Sequence, residues 1–332
     1  MRYPIIAAGL IAVATSVSAQ QKPVLTVYTY DSFIAEWGPG PQVEKAFEAE
    51  CGCDLKFVAT GDGAALLGRL KLEGERTRAD VVLGLDTNLT SAAKATGLFA
   101  PHGVTAPKLD LPLTWDDDTF LPYDWGYFAF VYDKTKLANP PTSFEALAAA
   151  PDDLKIVIED PRSSTPGLGL LLWVKMAYGD RAPEIWKGLA PHIVTVTKGW
   201  SEAYGMFLDG EADMVLSYTT SPAYHLIAEA DDTKAAAPFD EGHYMQIEVA
   251  GRIAGSDQPE LARQFLAFML TDAFQGTIPT TNWMYPAVTP EAGLPTGFET
   301  LIQPKQALIY SADEAAALRD PALEEWRAAL SK

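Results

Sequence analysis

Short apolar segments recur along this chain, and a polar loop and a helical pattern follow most of them. They cover residues 24–30, 55–60, 80–86, 128–133, 155–160, 193–197 and 213–218. Several are apolar at consecutive positions, as strands are when helices cover both faces of a largely parallel sheet. We therefore predict an α/β fold, with helices at residues 42–50, 64–73 and 256–275 and one or two surface helices at 311–330.

The first 19 residues have the pattern of a secretory signal peptide. Arg2 supplies a positive start, residues 5–17 are uncharged and apolar, and small residues precede a cleavage site after Ala19. The sequence shows no other uncharged apolar run of transmembrane length. We expect an exported periplasmic protein whose remaining length suits two lobes, each with its own core.

The chain is strongly acidic, with 44 Asp and Glu residues against 25 Lys and Arg residues. Such a surface argues against binding to nucleic acid or anionic membranes and favours a cationic ligand. The two cysteines, Cys51 and Cys53, lie in an exported protein, where disulfides form, and the sequence leaves their pairing open. They do not make a zinc site without histidines nearby.

Polar residues, glycines and aromatics follow the predicted strands, at the sheet edge where α/β proteins bind ligands. Three predicted helix starts, at residues 61–63, 163–165 and 198–201, could converge on a phosphate. Aromatic residues in polar loops offer ring faces to a flat cation: Tyr30, Trp37, Trp200, Tyr218, Tyr224, Trp283 and Tyr285. Asp31 or Asp62 could offset its charge. The sequence thus predicts a cleft for a planar cation that carries a phosphate.

Two other kinds of site receive less support. Ser221 and His225 are four residues apart, but no nearby acid marks a catalytic triad, and Ala203 replaces the glycine that a nucleophile elbow would need after Ser201. His225 and His243 each neighbour a tyrosine, as in iron carriers, but no carboxylate–histidine spacing recurs.

The motifs as a set resemble the periplasmic thiamine-binding proteins of bacterial thiamine ABC transporters. The similarity covers residues 22–286 and includes KPVLTVYTYDSF, EWGPGP, DVVLGLD, FAFVYDK, DPRSSTPGLGLLLW, VTVTKGWSEAYG, LSYTTSPAYH, EGHY and NWMYP. It implies the two-lobed periplasmic binding protein fold of the second structural class, in which each lobe is a mostly parallel sheet flanked by helices and the ligand cleft lies between the lobes.

The resemblance also implies where the lobes divide. The first lobe would comprise residues 20–125 and 254–286, and the second lobe residues 126–253. The chain would cross between them near residues 124–130 and return near 249–253. Residues 287–332 form a C-terminal helical segment whose lobe is not assigned.

The resemblance further implies the ligand and its contacts. The ligand would be thiamine, thiamine monophosphate or thiamine diphosphate, delivered without catalysis or a cofactor to an ABC transporter permease in the inner membrane. The phosphate end would be held by Asp62, Gly63, Ser164, Thr165 and Trp200; the rings by Tyr30, Tyr218, Tyr224 and Trp283; and adjacent polar atoms by Thr219, Thr220 and Ser221. The alternatives are a related carrier of polyamine or ferric iron, and a secreted serine hydrolase that uses Ser221.

Overall fold

The computed structural model describes residues 22–331, and the signal peptide predicted at residues 1–19 lies outside the described residues. The strands are β1 (Val24–Thr29), β2 (Asp54–Ala59), β3 (Val81–Asp86), β4 (Phe99–Ala100), β5 (Leu121–Asp133), β6 (Ile156–Glu159), β7 (Ile193–Thr197), β8 (Met214–Tyr218), β9 (Lys234–Ala236), β10 (His243–Ile253), β11 (Tyr285–Pro286) and β12 (Ala307–Leu308). The helices are α1 (Gly40–Cys51), α2 (Gly63–Glu73), α3 (Thr90–Lys94), α4 (Phe144–Ala148), α5 (Thr165–Tyr178), α6 (Ala182–Leu189), α7 (Trp200–Leu208), α8 (Pro222–Ala228), α9 (Pro259–Phe268), α10 (Asp272–Gln275) and α11 (Ala312–Leu330).

Two sets of parallel strands are joined by two long antiparallel strands. The strand order is β2-β1-β3-β10-β5-β8-β6-β7. β1 is parallel to β2 and β3, and β6 is parallel to β7 and β8. The long strands β5 and β10 are antiparallel to each other and to the sets that they join. The structure confirms the predicted α/β fold, with one mostly parallel sheet in each lobe.

The long strands pair with different neighbours along their length. Residues 121–127 of β5 pair with β10, whereas residues 128–133 pair with β8 and β9. β10 pairs with β3 from Glu248 onward. Both strands therefore run from one lobe into the other, and the chain crosses where β5 and β10 pair. The lobe limits expected from the resemblance stay a prediction.

Six of the seven apolar runs matched a strand to within one or two residues, namely β1, β2, β3, β6, β7 and β8. The run at residues 128–133 matched only the second half of β5, which begins at Leu121. The first half was missed because Pro122, Asp124 and Gly126 interrupt its apolar pattern. The long strand β10 was not predicted, and neither were the two- and three-residue strands β4, β9, β11 and β12. The prediction of one helix over residues 256–275 was also wrong, since Thr271 adopts an extended backbone conformation between α9 and α10.

Each lobe has its own aromatic core. In the first, Phe47 packs against Phe265 at 5.1 Å between ring centroids, and Cys51 and Cys53 nearby are joined by a disulfide. In the second, Phe144 packs edge-on against the buried Trp173 at 4.8 Å. The C-terminal segment ends in a single helix, α11, which packs mainly on α5 and α6 of the second lobe. Within residues 22–331, none of the helices has the length and apolar character needed to span a membrane.

Candidate binding site

A cavity of about 490 Å³ lies where the two lobes meet. Loops and helix starts at the carboxyl ends of strands from both lobes form its walls, and β10 forms part of its floor. The side chains and backbone that line it belong to Tyr30, Ser32, Trp37, Asp62, Thr165, Pro166, Trp200, Ser201, Tyr204, Gly205, Leu208, Tyr218, Ser221, Tyr224, Ala228, Gln246, Glu248, Thr280, Asn282, Trp283 and Met284. Its size suits a small organic ligand.

Most of the residues predicted for the ligand site face this cavity. They are Tyr30, Asp62, Thr165, Trp200, Tyr218, Ser221, Tyr224 and Trp283. Gly63, Ser164, Thr219 and Thr220 do not line it and are buried beneath the wall. The Ser164 hydroxyl caps α5, and the backbone N–H of Thr219 donates to the Tyr127 carbonyl at 2.8 Å. These residues hold the loops in place rather than offer a surface to a ligand.

Aromatic rings form a large part of the wall. The Trp200 ring stacks on Tyr204 at 5.0 Å between centroids, and the indole N–H of Trp200 donates to the Ser217 hydroxyl at 2.8 Å. The Tyr224 ring meets Trp283 edge-on at 5.5 Å. Such faces attract flat and cationic ligands.

His225 supports this aromatic wall from behind. One of its ring nitrogens lies 2.9 Å from the Tyr204 hydroxyl, and the other lies 2.7 Å from Glu229, which also accepts a hydrogen bond from the Tyr224 hydroxyl. The Ser221 hydroxyl instead pairs with the Ser217 hydroxyl at 2.7 Å. The geometry therefore joins His225 to the ring positions and offers no Ser221–His225 pair for hydrolysis.

His225, Glu229 and Asp231 are close enough to be considered as metal ligands, since their ligand atoms lie within 4.8 Å of one another. However, the ammonium group of Lys234 forms ion pairs with Asp231 and Asp133, both at 3.1 Å. A cation of the protein already pairs with Asp231, and Glu229 is engaged by Tyr224 and His225. The cluster thus gives no support to the iron-carrier alternative.

The three predicted helix starts do come together. Asp62, at the start of α2, accepts a hydrogen bond at 3.1 Å from the backbone N–H of Trp200, the first residue of α7. The backbone N–H of Gly63 donates to the Thr165 hydroxyl at the start of α5, also at 3.1 Å. Burial raises the pKa of Asp62 to about 6, although the hydrogen bond from Trp200 opposes this shift. Helix starts favour anions, which supports a phosphate at this end of the cavity, but the Asp62 carboxylate already pairs with the start of α7 and its charge opposes an anion there.

The sequence reasoning missed the polar floor of the cavity. Glu248 accepts hydrogen bonds from the hydroxyls of Tyr30 and Tyr123, both at 3.1 Å. Asn282 donates to the neighbouring Asp124 at 2.6 Å. Burial raises the pKa of Glu248 to about 7 and that of Asp124 well above its usual range. Two polar residues, Gln246 and Glu248, within a buried strand were the signal that could have revealed this floor.

The comparisons with known proteins agree on one family. The sequence pattern of bacterial extracellular solute-binding proteins matches residues 30–276. The thiamine-binding periplasmic protein of Escherichia coli K12 is 59% identical over 94% of each chain, and that of Brucella abortus is 52% identical over 95% of this chain and 94% of its own. A solved periplasmic thiamin binding protein superposes with a TM-score of 0.91 at 57% identity, covering 98% of this chain and 100% of its own.

Proposed function

The chain belongs to the bacterial extracellular solute-binding protein family, and we propose that it is the thiamine-binding component of an ABC importer. It is a periplasmic protein, like the relatives that it matches. One structural observation supports thiamine most directly: a cavity between the lobes has aromatic walls, a carboxylate on its floor at Glu248 and another beside the start of α2 at Asp62. Thiamine joins two flat rings, one of them permanently cationic, so such walls and such a charge balance match its chemistry.

Each part of the ligand has a matching part of the cavity in this proposal. Tyr30, Tyr218, Tyr224 and Trp283 hold the rings. For thiamine monophosphate and diphosphate, the starts of α5 and α7 receive the phosphate beside Asp62. Gly63, Ser164, Thr219 and Thr220 keep these groups in position from below.

Transport requires closing and opening of the lobes, and no bond is made or broken. A ligand that contacts both lobes stabilises the closed form, because its binding energy is fully available only there. The crossing strands β5 and β10 are the connection about which the lobes would move. The closed form would then be recognised by a membrane permease, which takes up the ligand.

Titration of the mature protein tests this proposal. We expect thiamine to quench tryptophan fluorescence saturably in the micromolar range or below, because Trp200 and Trp283 line the cavity. Calorimetry with thiamine, its two phosphates, spermidine and ferric ion would rank the ligands, and recovery of unaltered thiamine would show the absence of turnover. Binding of spermidine or ferric ion, but not of thiamine, would contradict the proposal.

A further inference from the structure

Two carboxylates are buried side by side where the crossing strands meet. Asp124 on β5 and Glu248 on β10 are directly paired in the strand register, with 0% and 5% of their surfaces exposed. Their side-chain hydrogen-bond partners are neutral, namely the hydroxyls of Tyr30 and Tyr123 and the amide of Asn282. Among residues 22–331, neither carboxylate forms an ion pair with a lysine, arginine or histidine.

Two carboxylates buried side by side destabilise a protein unless a cation pairs with them. A buried carboxylate is stabilised by a positive partner, and two adjacent carboxylates cannot both ionise readily. Glu248 accepts two hydroxyl hydrogen bonds, which favour its ionised form, but burial still raises its pKa to about 7, so part of the protein carries a proton on Glu248 near neutral pH. Burial beside Glu248 raises the pKa of Asp124 well above its usual range, so Asp124 keeps its own proton. Glu248 lines the cavity, so its missing partner can enter from there.

We propose that Glu248 is the counter-ion of the ligand's cationic ring, and that thiamine binding therefore releases a proton from the Glu248–Asp124 pair. This inference rests on the proposed function and names the group that selects a cation. Glu248 thereby takes the role of counter-ion that the sequence analysis suggested for Asp31 or Asp62. Asp62 instead accepts a hydrogen bond from the start of α7.

The groups around Glu248 leave few other sources for such a proton. Tyr30 follows β1, Tyr123 belongs to β5 and Tyr218 ends β8, and burial raises the pKa of all three hydroxyls well above their usual range. Two other carboxyl groups remain. Burial raises the pKa of Asp86 on β3 to about 7, but Asp86 pairs with Asn88 at 2.7 Å and does not line the cavity. Asp62 lines the cavity and burial raises its pKa to about 6, so it would release a proton at a lower pH than Glu248.

Calorimetric titration with thiamine between about pH 6 and about pH 8.5, in buffers of different ionisation enthalpy, measures both affinity and proton release. For the wild type we expect release of part of a proton near pH 7. We also expect Kd to rise below pH 7, by up to about tenfold per pH unit, because Glu248 must lose its proton to meet the cation.

Glu248→Gln keeps an oxygen for the tyrosine hydroxyls but removes the charge. It should bind thiamine at least about tenfold more weakly at pH 8 and release no proton.

Matched variants distinguish the counter-ion role of Glu248 from the general effect of removing a buried carboxylate. Glu241→Gln makes the same change at a carboxylate outside the cavity, which accepts a hydrogen bond from the Tyr178 hydroxyl. Its thiamine affinity and proton release should equal those of the wild type. Asp86→Asn should retain the proton release. Asp62→Asn should also retain the release near pH 7. Asp124→Asn exchanges a carboxyl that already carries its proton for a neutral amide, so the proton release and its pH profile should persist. Circular dichroism and melting temperature establish that each variant is folded.

The outcomes distinguish the two proposals. If the wild type binds no thiamine at any pH, the proposed function is wrong. If the wild type binds thiamine but Glu248→Gln matches it in affinity and pH profile, only the counter-ion role is wrong. Loss of proton release in Asp86→Asn, with release retained in Glu248→Gln, would also overturn it.

Discussion

At Trp283 the backbone takes a left-handed conformation that tryptophan rarely adopts, with φ 56° and ψ 38°. Its N–H donates to the Ile278 carbonyl at 2.9 Å and closes a π-helical turn, Ile278–Asn282. Such a conformation costs on the order of 1–3 kcal/mol and persists at functional sites when the surroundings impose it. Here the turn places the indole at the cavity wall against Tyr224.

Replacement of this indole should weaken binding without unfolding the protein. Trp283→Ala removes a ring face worth about 0.5–2 kcal/mol, so we expect the Kd for thiamine to rise about 2- to 30-fold. Trp283→Phe keeps a ring and should lose less. Fluorescence or calorimetric titration measures both, and an unchanged Kd for Trp283→Ala would remove this residue from the site.

A glycine provides the space for another wall residue. Gly84 in β3 has φ 106°, and a Cβ atom there would lie 2.2 Å from the Tyr30 ring. Only glycine combines this backbone conformation with so close an approach. The glycine in the DVVLGLD motif therefore sets the position of Tyr30, whose hydroxyl reaches Glu248.

Among the elements, the contact between α2 and α7 joins the two lobes through a single carboxylate. Asp62 precedes α2 in the first lobe and accepts from the first backbone N–H of α7 in the second. The raised pKa of Asp62 shows that burial outweighs the favourable helix start. The same carboxylate stands where a phosphate would approach α7, so its charge opposes an anionic ligand there.

Asp62→Asn should therefore change stability in a pH-dependent way. A carboxyl whose pKa is about 6 when folded, against an ordinary value of 3.8, binds its proton more tightly in the folded state. The free energy of unfolding thus falls as pH rises from about 4 to above 6. The amide avoids this loss, so the ligand-free variant should gain up to about 3 kcal/mol over the wild type at pH 8 and nothing at pH 4 or below.

Urea unfolding of the ligand-free proteins at these two pH values measures the effect. Asp31→Asn is a suitable control, because Asp31 accepts from the Gly61 N–H in the same region but is exposed. If Asp62→Asn were destabilised equally at both pH values, the hydrogen bond to Trp200 would outweigh the burial of the charge.

For the whole molecule, the contacts between lobes describe a closed form. Besides the Asp62–Trp200 contact, the Gly63 N–H donates to the Thr165 hydroxyl and the Ala65 N–H donates to the Ser163 carbonyl at 3.0 Å. These bonds are few, and each contributes only about 0.5–1.5 kcal/mol. A ligand that bridges the lobes can therefore shift the balance between open and closed forms.

Small-angle scattering should detect this shift. We expect thiamine to reduce the radius of gyration of the ligand-free protein. Thr165→Val removes the acceptor for the Gly63 N–H and should increase the radius without ligand and weaken binding by about 0.5–1.5 kcal/mol. Thr135→Val, at a hydroxyl bonded to Asp133 outside the cavity, is the control. A radius unaffected by saturating thiamine would contradict closure on binding.

The strands of the two parallel sets, the α/β class and many of the wall aromatics could be predicted from the sequence, because these depend on local patterns. Apolar runs specify buried strands, and an aromatic beside glycine or serine at a strand end points to a surface for stacking. Such patterns could not tell which of several consecutive loop residues face the cavity. Ser221 does so, while Thr219 and Thr220 are fully buried and do not line the cavity.

Only the tertiary structure decided the charge balance of the site. Asp124 and Glu248 are 124 residues apart, and their meeting depends on the antiparallel pairing of β5 and β10. Tyr30, which follows β1, and Asn282, which ends the π-helical turn, reach the same carboxylates from other parts of the fold. A local pattern determines whether a segment forms a strand. The strand's partners, and hence its buried charges, are determined by long-range packing.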